Sequence, residues 1–102
     1  MDNQMIQHTV VFRLVHTSGS SAETKFLKKA KALGELPNVV NLQVLKQVSK
    51  KNNYTFGLSM FFESESAYQA YNNHPDHIDF VNNVWLPEVA EFMEIDYVDV
   101  QP

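Results

Sequence analysis

Between residues 5 and 15 apolar and polar positions alternate, with Ile6, His8, Val10, Phe12 and Leu14 on one face and Gln7, Thr9, Val11, Arg13 and Val15 on the other. A period of two is that of a strand. The first set is the core face, so His8 is directed with apolar neighbours toward whatever covers the sheet. A loop of His16, Thr17, Ser18, Gly19 and Ser20 follows, and Ser20-Ser21-Ala22-Glu23 has the spacing of a capping box that opens a helix. Ala22, Phe26, Ala30 and Leu33 form the buried stripe of that helix. Gly34 suits a left-handed helix end, and Pro37 keeps the helix from resuming.

Alternation returns over residues 39–48, and the polar run from Ser49 to Asn53 reads as a hairpin connection into a third strand over 54–62. Tyr54, Phe56, Leu58, Met60 and Phe62 share one face of that strand, while Thr55, Gly57, Ser59 and Phe61 take the other. Being the most hydrophobic strand, it is expected to be central. Ser64 caps a second helix running to about His74, with Ala67, Tyr68 and Tyr71 inward. Pro75 disfavours helical backbone at His74 but suits the first turn of another helix carrying Ile78, Phe80, Val81, Val84 and Trp85. Two short helices at an angle are therefore predicted, Pro87 kinks or restarts the last turn, and residues 92–100 close the chain as a fourth strand. The order strand, helix, strand, strand, two short helices, strand predicts an antiparallel sheet with its helices on one face, a ferredoxin-like α+β sandwich. The uncovered face then displays Val11, Val15 and Phe61, a patch that a partner chain explains better than water does, and two sheets packed face to face give a symmetric homodimer.

Length and composition bound the function. With 102 residues, 44% hydrophobic and 20% charged, the sequence is that of one globular domain over 1–102. It has no cysteine, which excludes disulfides, thiolate metal sites and a cysteine nucleophile. The start Met1-Asp2-Asn3-Gln4 has no signal-peptide character, and no apolar run reaches the roughly 18 residues of a membrane span, so a soluble cytoplasmic protein is expected. The net charge of −4 is divided unevenly: every Lys and Arg lies between Arg13 and Lys51, and nine of the twelve acidic residues follow Lys51. Either the two halves attract one another across a dimer or they are simply solvated faces. The Lys25, Lys28, Lys29, Lys31 cluster lacks aromatic interleaving and is flanked by Glu23 and Glu35, which argues against nucleic acid.

The chemistry concentrates in Tyr71-Asn72-Asn73-His74-Pro75-Asp76-His77. A phenol and two imidazoles beside a helix breaker can move protons near neutral pH. His77 and Tyr71 are the candidate catalytic pair, and His8, Phe12, His74, Phe80 and Trp85 the candidate ligand-binding residues. His74 and His77, three apart on a regular helix, begin a metal site with Asp76 or Asp79, but no convincing third ligand is apparent and none is assigned. No cofactor is called for.

Four segments together carry a resemblance: His8-Thr9-Val10-Val11-Phe12, Leu36-Pro37-Asn38-Val39, Phe62-Glu63-Ser64-Glu65-Ser66-Ala67, and Tyr71 to His77. In that order and spacing the chain resembles the stress-responsive A/B barrel domain, or Dabb, family from His8 to about Tyr97. The resemblance implies a subunit that dimerises through its sheet into a barrel, with a pocket between sheet and helices. In the plant polyketide cyclases of that family the tyrosine matching Tyr71 and the histidine matching His77 are the catalytic pair, and the histidine matching His8 lines the same pocket. Where the family usually has glycine this chain has Asn38, which tolerates the same left-handed turn. Three functions follow as alternatives: binding of a small apolar or carbonyl-containing molecule, a cofactor-free cyclase or proton-transfer reaction with His77 as base and Tyr71 as oxyanion partner, and, by fold analogy, a cofactor-free monooxygenase.

Overall fold

The computed structural model describes residues 4–102. Strand β1 spans Ile6–Leu14, helix α1 Ser21–Ala32, β2 Val40–Lys46, β3 Phe56–Phe62, α2 Glu65–Asn72, α3 Pro75–Phe80, α4 Leu86–Glu88 and β4 Val89–Tyr97. A short 3-10 turn, Leu33–Glu35, follows α1, and a π-helical turn, Val81–Trp85, joins α3 to α4. The sheet order is β2-β3-β1-β4, and the paired strands are antiparallel. This is the ferredoxin-like arrangement that the order of elements predicts, with β3 and β1 both central.

The inner face of the sheet and the helices enclose one core. Val10, Phe12 and Leu14 from β1 and Leu58 from β3 pack against Phe26, Ala30 and Leu33 below α1 and against Phe80 and Trp85. A second group, Met60, Phe62 and Tyr71, lies under α2. Burial of such side chains contributes roughly 1.5–3 kcal/mol each relative to exposure, which is what holds short helices on the sheet. Predicted inward residues follow this pattern except Ile78, which is 45% exposed, so that α3 buries Phe80 and leaves the Ile78 side in solvent.

Local details depart from the sequence reading in physically simple ways. Ser20 accepts from the Glu23 N–H at 3.2 Å as a cap should, but the Glu23 carboxylate reaches the Gly19 N–H, 3.0 Å away, one residue beyond the position in a standard capping box. Gly34 is not a left-handed helix end. It lies in the 3-10 turn, and its value is closeness, since a Cβ there would stand 3.3 Å from the Leu42 Cβ. The left-handed residue is Asn38 at φ 74°, followed by Asn41 at φ 52°, where the β2–β3 register slips between Val40 and Gln43. Tyr54 and Thr55 precede the third strand, though the Thr55 N–H still donates to the Phe12 carbonyl at 3.0 Å. The fourth strand begins at Val89 and ends at Tyr97, three residues earlier than the pattern suggests at each end.

Candidate functional site

Two walls form the site, each positioned by a feature of the sequence. On the sheet wall, β1 and β4 pair with Phe12 opposite Phe92, Val10 opposite Glu94 and His8 opposite Asp96. Because alternate residues share a face, His8, Val10, Phe92, Glu94 and Asp96 all turn toward the helices. On the helix wall, Ser64 starts α2 by accepting from the Ala67 N–H at 3.1 Å, which brings Tyr68 and Tyr71 onto the sheet. His74 then ends that segment in extended backbone, φ −67° and ψ 133°, with Pro75 at the start of α3. The turn swings His77 back beneath Tyr71, so that the two rings lie 4.2 Å apart between centroids.

Between the walls is a cavity of about 200 Å³ lined by His8, Val10, Leu33, Leu58, Met60, Tyr68, Tyr71, Asn72, His77, Phe80, Val81, Trp85, Leu86, Phe92 and Glu94. Most of the lining is apolar or aromatic, with a few polar groups converging, as small-molecule sites generally are. Leu86 and Phe92, 61% and 46% exposed, form its rim with the exposed Glu94. The π-helical turn places Trp85 against Phe92, at 5.5 Å and nearly edge-on, closing one side. Such turns re-aim a side chain without ending the helix.

Hydrogen bonds fix the state of each polar group. The His77 Nδ1 lies 3.2 Å from the Asn72 carbonyl oxygen, which can only accept, so Nδ1 carries the hydrogen. In the neutral ring Nε2 then holds the lone pair. Burial is the main influence on this imidazole and lowers its pKa, only partly offset by the Asn72 bond, so the neutral form is favoured. Among the described residues the Tyr71 hydroxyl has no hydrogen-bond partner, and it is not one of the fully enclosed polar atoms, so it opens into the cavity. Burial first, and then the negative charge of Glu94, push its pKa well above the ordinary phenol value, keeping it a neutral donor.

His8 is held differently. Its Nδ1 is 2.6 Å from Asp96 Oδ1 and 2.8 Å from the Tyr68 hydroxyl, which itself donates to Asp96 Oδ2 at 2.9 Å. The Nδ1–H therefore faces the carboxylate, and Nε2 is the nitrogen left for the cavity. Burial, reinforced by the Asp96 bond and charge, also raises the Tyr68 pKa far above that of a free phenol. Tyr68 further stacks on Phe62 at 4.8 Å, which locks the triangle against the core.

His8, Tyr71, His77, Phe80 and Trp85 thus meet at one cavity. Two other residues singled out from the sequence do not line it. Phe12 is wholly buried beneath it, in contact with Phe26, Phe56 and Trp85. The His74 Nδ1 accepts the Asp76 N–H at 3.1 Å as the cap of α3, which commits the ring to the backbone. Among the described residues no three His, Asp or Glu side chains gather as a metal site, and no helix is long and apolar enough to cross a membrane. Sequence reasoning missed Glu94 and Asp96. They alternate with Phe92 along β4, but it is the pairing of β4 with β1 that turns this face inward.

Comparison with known proteins places this geometry. The model of a family described as the stress responsive A/B barrel domain, Dabb, matches residues 6–99. A Dabb family protein of ferredoxin-like fold from Mesorhizobium loti is 48% identical, with TM-score 0.94 over 96% of this chain and 99% of that one. A dimeric ferredoxin-like protein of unknown function from Thermobifida fusca shares the fold at 20% identity, with TM-score 0.78 over 95% of this chain and 92% of that one. A stress-response A/B barrel domain-containing protein of Arabidopsis thaliana is 28% identical over 94% of this chain, which spans only 37% of that relative's length.

Proposed function

This chain belongs to the stress-responsive A/B barrel domain family, and from that membership we propose that it binds a small apolar or carbonyl-containing molecule in the cavity between sheet and helices. The observation that carries the reading is the convergence of an unpartnered Tyr71 hydroxyl and the free Nε2 of His77 on a mostly apolar cavity. A donor and an acceptor that no protein group among the described residues satisfies, both accessible from one cavity, can be paired at once by a single ligand. His8 completes the polar set, and Phe80 and Trp85 supply aromatic walls. The binding unit is a homodimer closed through the uncovered sheet face, as the dimeric state of the Thermobifida fusca protein encourages.

A second reading, cofactor-free proton transfer, is favoured by the tautomer of His77. A ring whose Nδ1–H is held by a carbonyl and whose pKa burial has lowered is a base at neutral pH. His77 Nε2 would take the proton α to a ligand carbonyl, the C–H electrons passing to the carbonyl oxygen, where the Tyr71 O–H stabilises the enolate. Attack of that enolate on a second carbonyl of the same molecule forms the new carbon–carbon bond, and His77 returns its proton to the alkoxide. General-base catalysis of this kind contributes roughly 10²- to 10⁴-fold.

Exchange of α protons separates the two readings. Incubating a small aryl ketone with the protein in deuterated water and following loss of the α-proton NMR signal tests proton transfer directly. Acceleration that His77→Ala abolishes and Tyr71→Phe reduces supports the enzyme. Binding of the ketone without accelerated exchange leaves the site a ligand-binding one.

A further inference from the structure

The polar groups of the cavity are unequally divided between donors and acceptors. His77 and His8 each have Nδ1–H committed elsewhere, to the Asn72 carbonyl and to Asp96, and so offer Nε2 as an acceptor. Glu94 adds a carboxylate, which only accepts, and among the described residues it makes no hydrogen bond or ion pair of its own. Against these three acceptors the donors left open among the described residues are the Tyr71 hydroxyl and the Trp85 indole N–H, since the Tyr68 hydroxyl is spent on Asp96. Asn72, which also lines the cavity, can supply an amide of either sense.

The position of Glu94 is fixed by the sheet. It stands opposite Val10, two residues from Phe92 and two from Asp96, so it cannot turn to the outer face without a shift of register in β4. Its charge is felt at both Tyr71 and His77. Among the described residues no lysine or arginine lines the cavity to neutralise it. An anionic ligand entering here would meet a like charge fixed at the rim and, among the described residues, no lysine or arginine to pair with.

We propose that the cavity selects an uncharged ligand bearing hydroxyl donors on an aromatic body, a phenol, and rejects the corresponding carboxylate, with Glu94 as the specificity-determining residue. This rests on the small-molecule reading of the cavity given above. A phenol ring would lie against Phe80, Trp85 and Phe92, which line the cavity, with its O–H donating to an imidazole Nε2 and its oxygen accepting from Tyr71.

Calorimetric titration with 4-propylphenol and 4-propylbenzoate, on the protein and on Glu94→Gln, tests it. The wild type is expected to bind the phenol and to bind the benzoate at least about tenfold more weakly, the repulsion of one partly exposed charge at short range. Glu94→Gln keeps shape and removes charge, so benzoate affinity is expected to rise about tenfold while phenol affinity moves little, which also reports that the variant is folded. Equal binding of both probes by the wild type, or a benzoate affinity unchanged by Glu94→Gln, overturns the role of Glu94 and leaves the cavity a binding site. Failure of both proteins to bind either probe overturns the small-molecule reading itself.

Discussion

His77 shows how one side chain acquires its chemistry from neighbours that are themselves unremarkable in sequence. Its Nδ1 is tied to a backbone carbonyl five residues earlier, a bond that exists because Pro75 turns the chain. Burial then lowers its pKa, and the sign of that shift gives a stability prediction. The unfolded chain takes up a proton near the ordinary histidine value, about 6.5, while folded His77 resists it, so stability is lost as pH falls below about 6.5 and stops falling once the folded ring protonates. Urea unfolding at pH 7.5 and 5.5 should show a larger loss in the wild type than in His77→Gln, and equal losses would refute the burial argument. The proximity of Tyr71 and His77 was legible in the sequence because both lie in one short segment. The tautomer was not, since it depends on a carbonyl that only the folded turn presents. Glu94 and Asp96 were illegible for another reason, since assigning them a face requires the register of β4 on β1, which residues 92–100 alone do not specify.

Among the elements, punctuation was read well and geometry less so. The caps Ser20 and Ser64, the break at Pro75 and the restart near Pro87 follow from local chemistry and appear where expected. The π-helical turn that aims Trp85 does not, because apolar spacing at Val81, Val84 and Trp85 suits an ordinary helix equally well. Gly34 is the instructive case. Its position after a helix suggests a left-handed end, yet the structure uses it for the approach of β2, and Asn38 takes the left-handed backbone instead. Gly34→Ala is therefore predicted to destabilise by about 1 kcal/mol, since crowding against the Leu42 Cβ, which is anchored to the strand, outweighs the helix-propensity gain. Denaturant unfolding that finds the variant more stable would show that β2 yields, and that Gly34 is not there for packing.

At the scale of the whole molecule, the sheet is finished on one side only. The outer face carries Leu45 from β2 and Met93, Ile95 and Tyr97 from β4, 37–50% exposed, around half-buried Val11 and Phe61. Val11 and Phe61 were foreseen there; Val15 lies past the end of β1, and the contribution of β4 was not anticipated. An apolar sheet face of this extent is the kind of surface that a second copy covers. Ile95→Asp sits opposite Thr9 in the middle of that face and is predicted to convert a micromolar dimer into a folded monomer by sedimentation velocity. A wild type that sediments as a monomer would refute the sheet-to-sheet arrangement. The claim on which the functional account rests is nonetheless internal to one chain, that the cavity between Tyr71, His77 and the sheet takes a small molecule. The most direct test is an NMR screen of small neutral aromatic compounds against isotopically labelled protein, which detects even millimolar binding. The account predicts that binders shift the Trp85 indole and the His77 and Tyr71 ring signals together, and that Tyr71→Phe weakens them. Binders that perturb only the outer sheet face, or a screen in which no compound moves those three side chains, would contradict it.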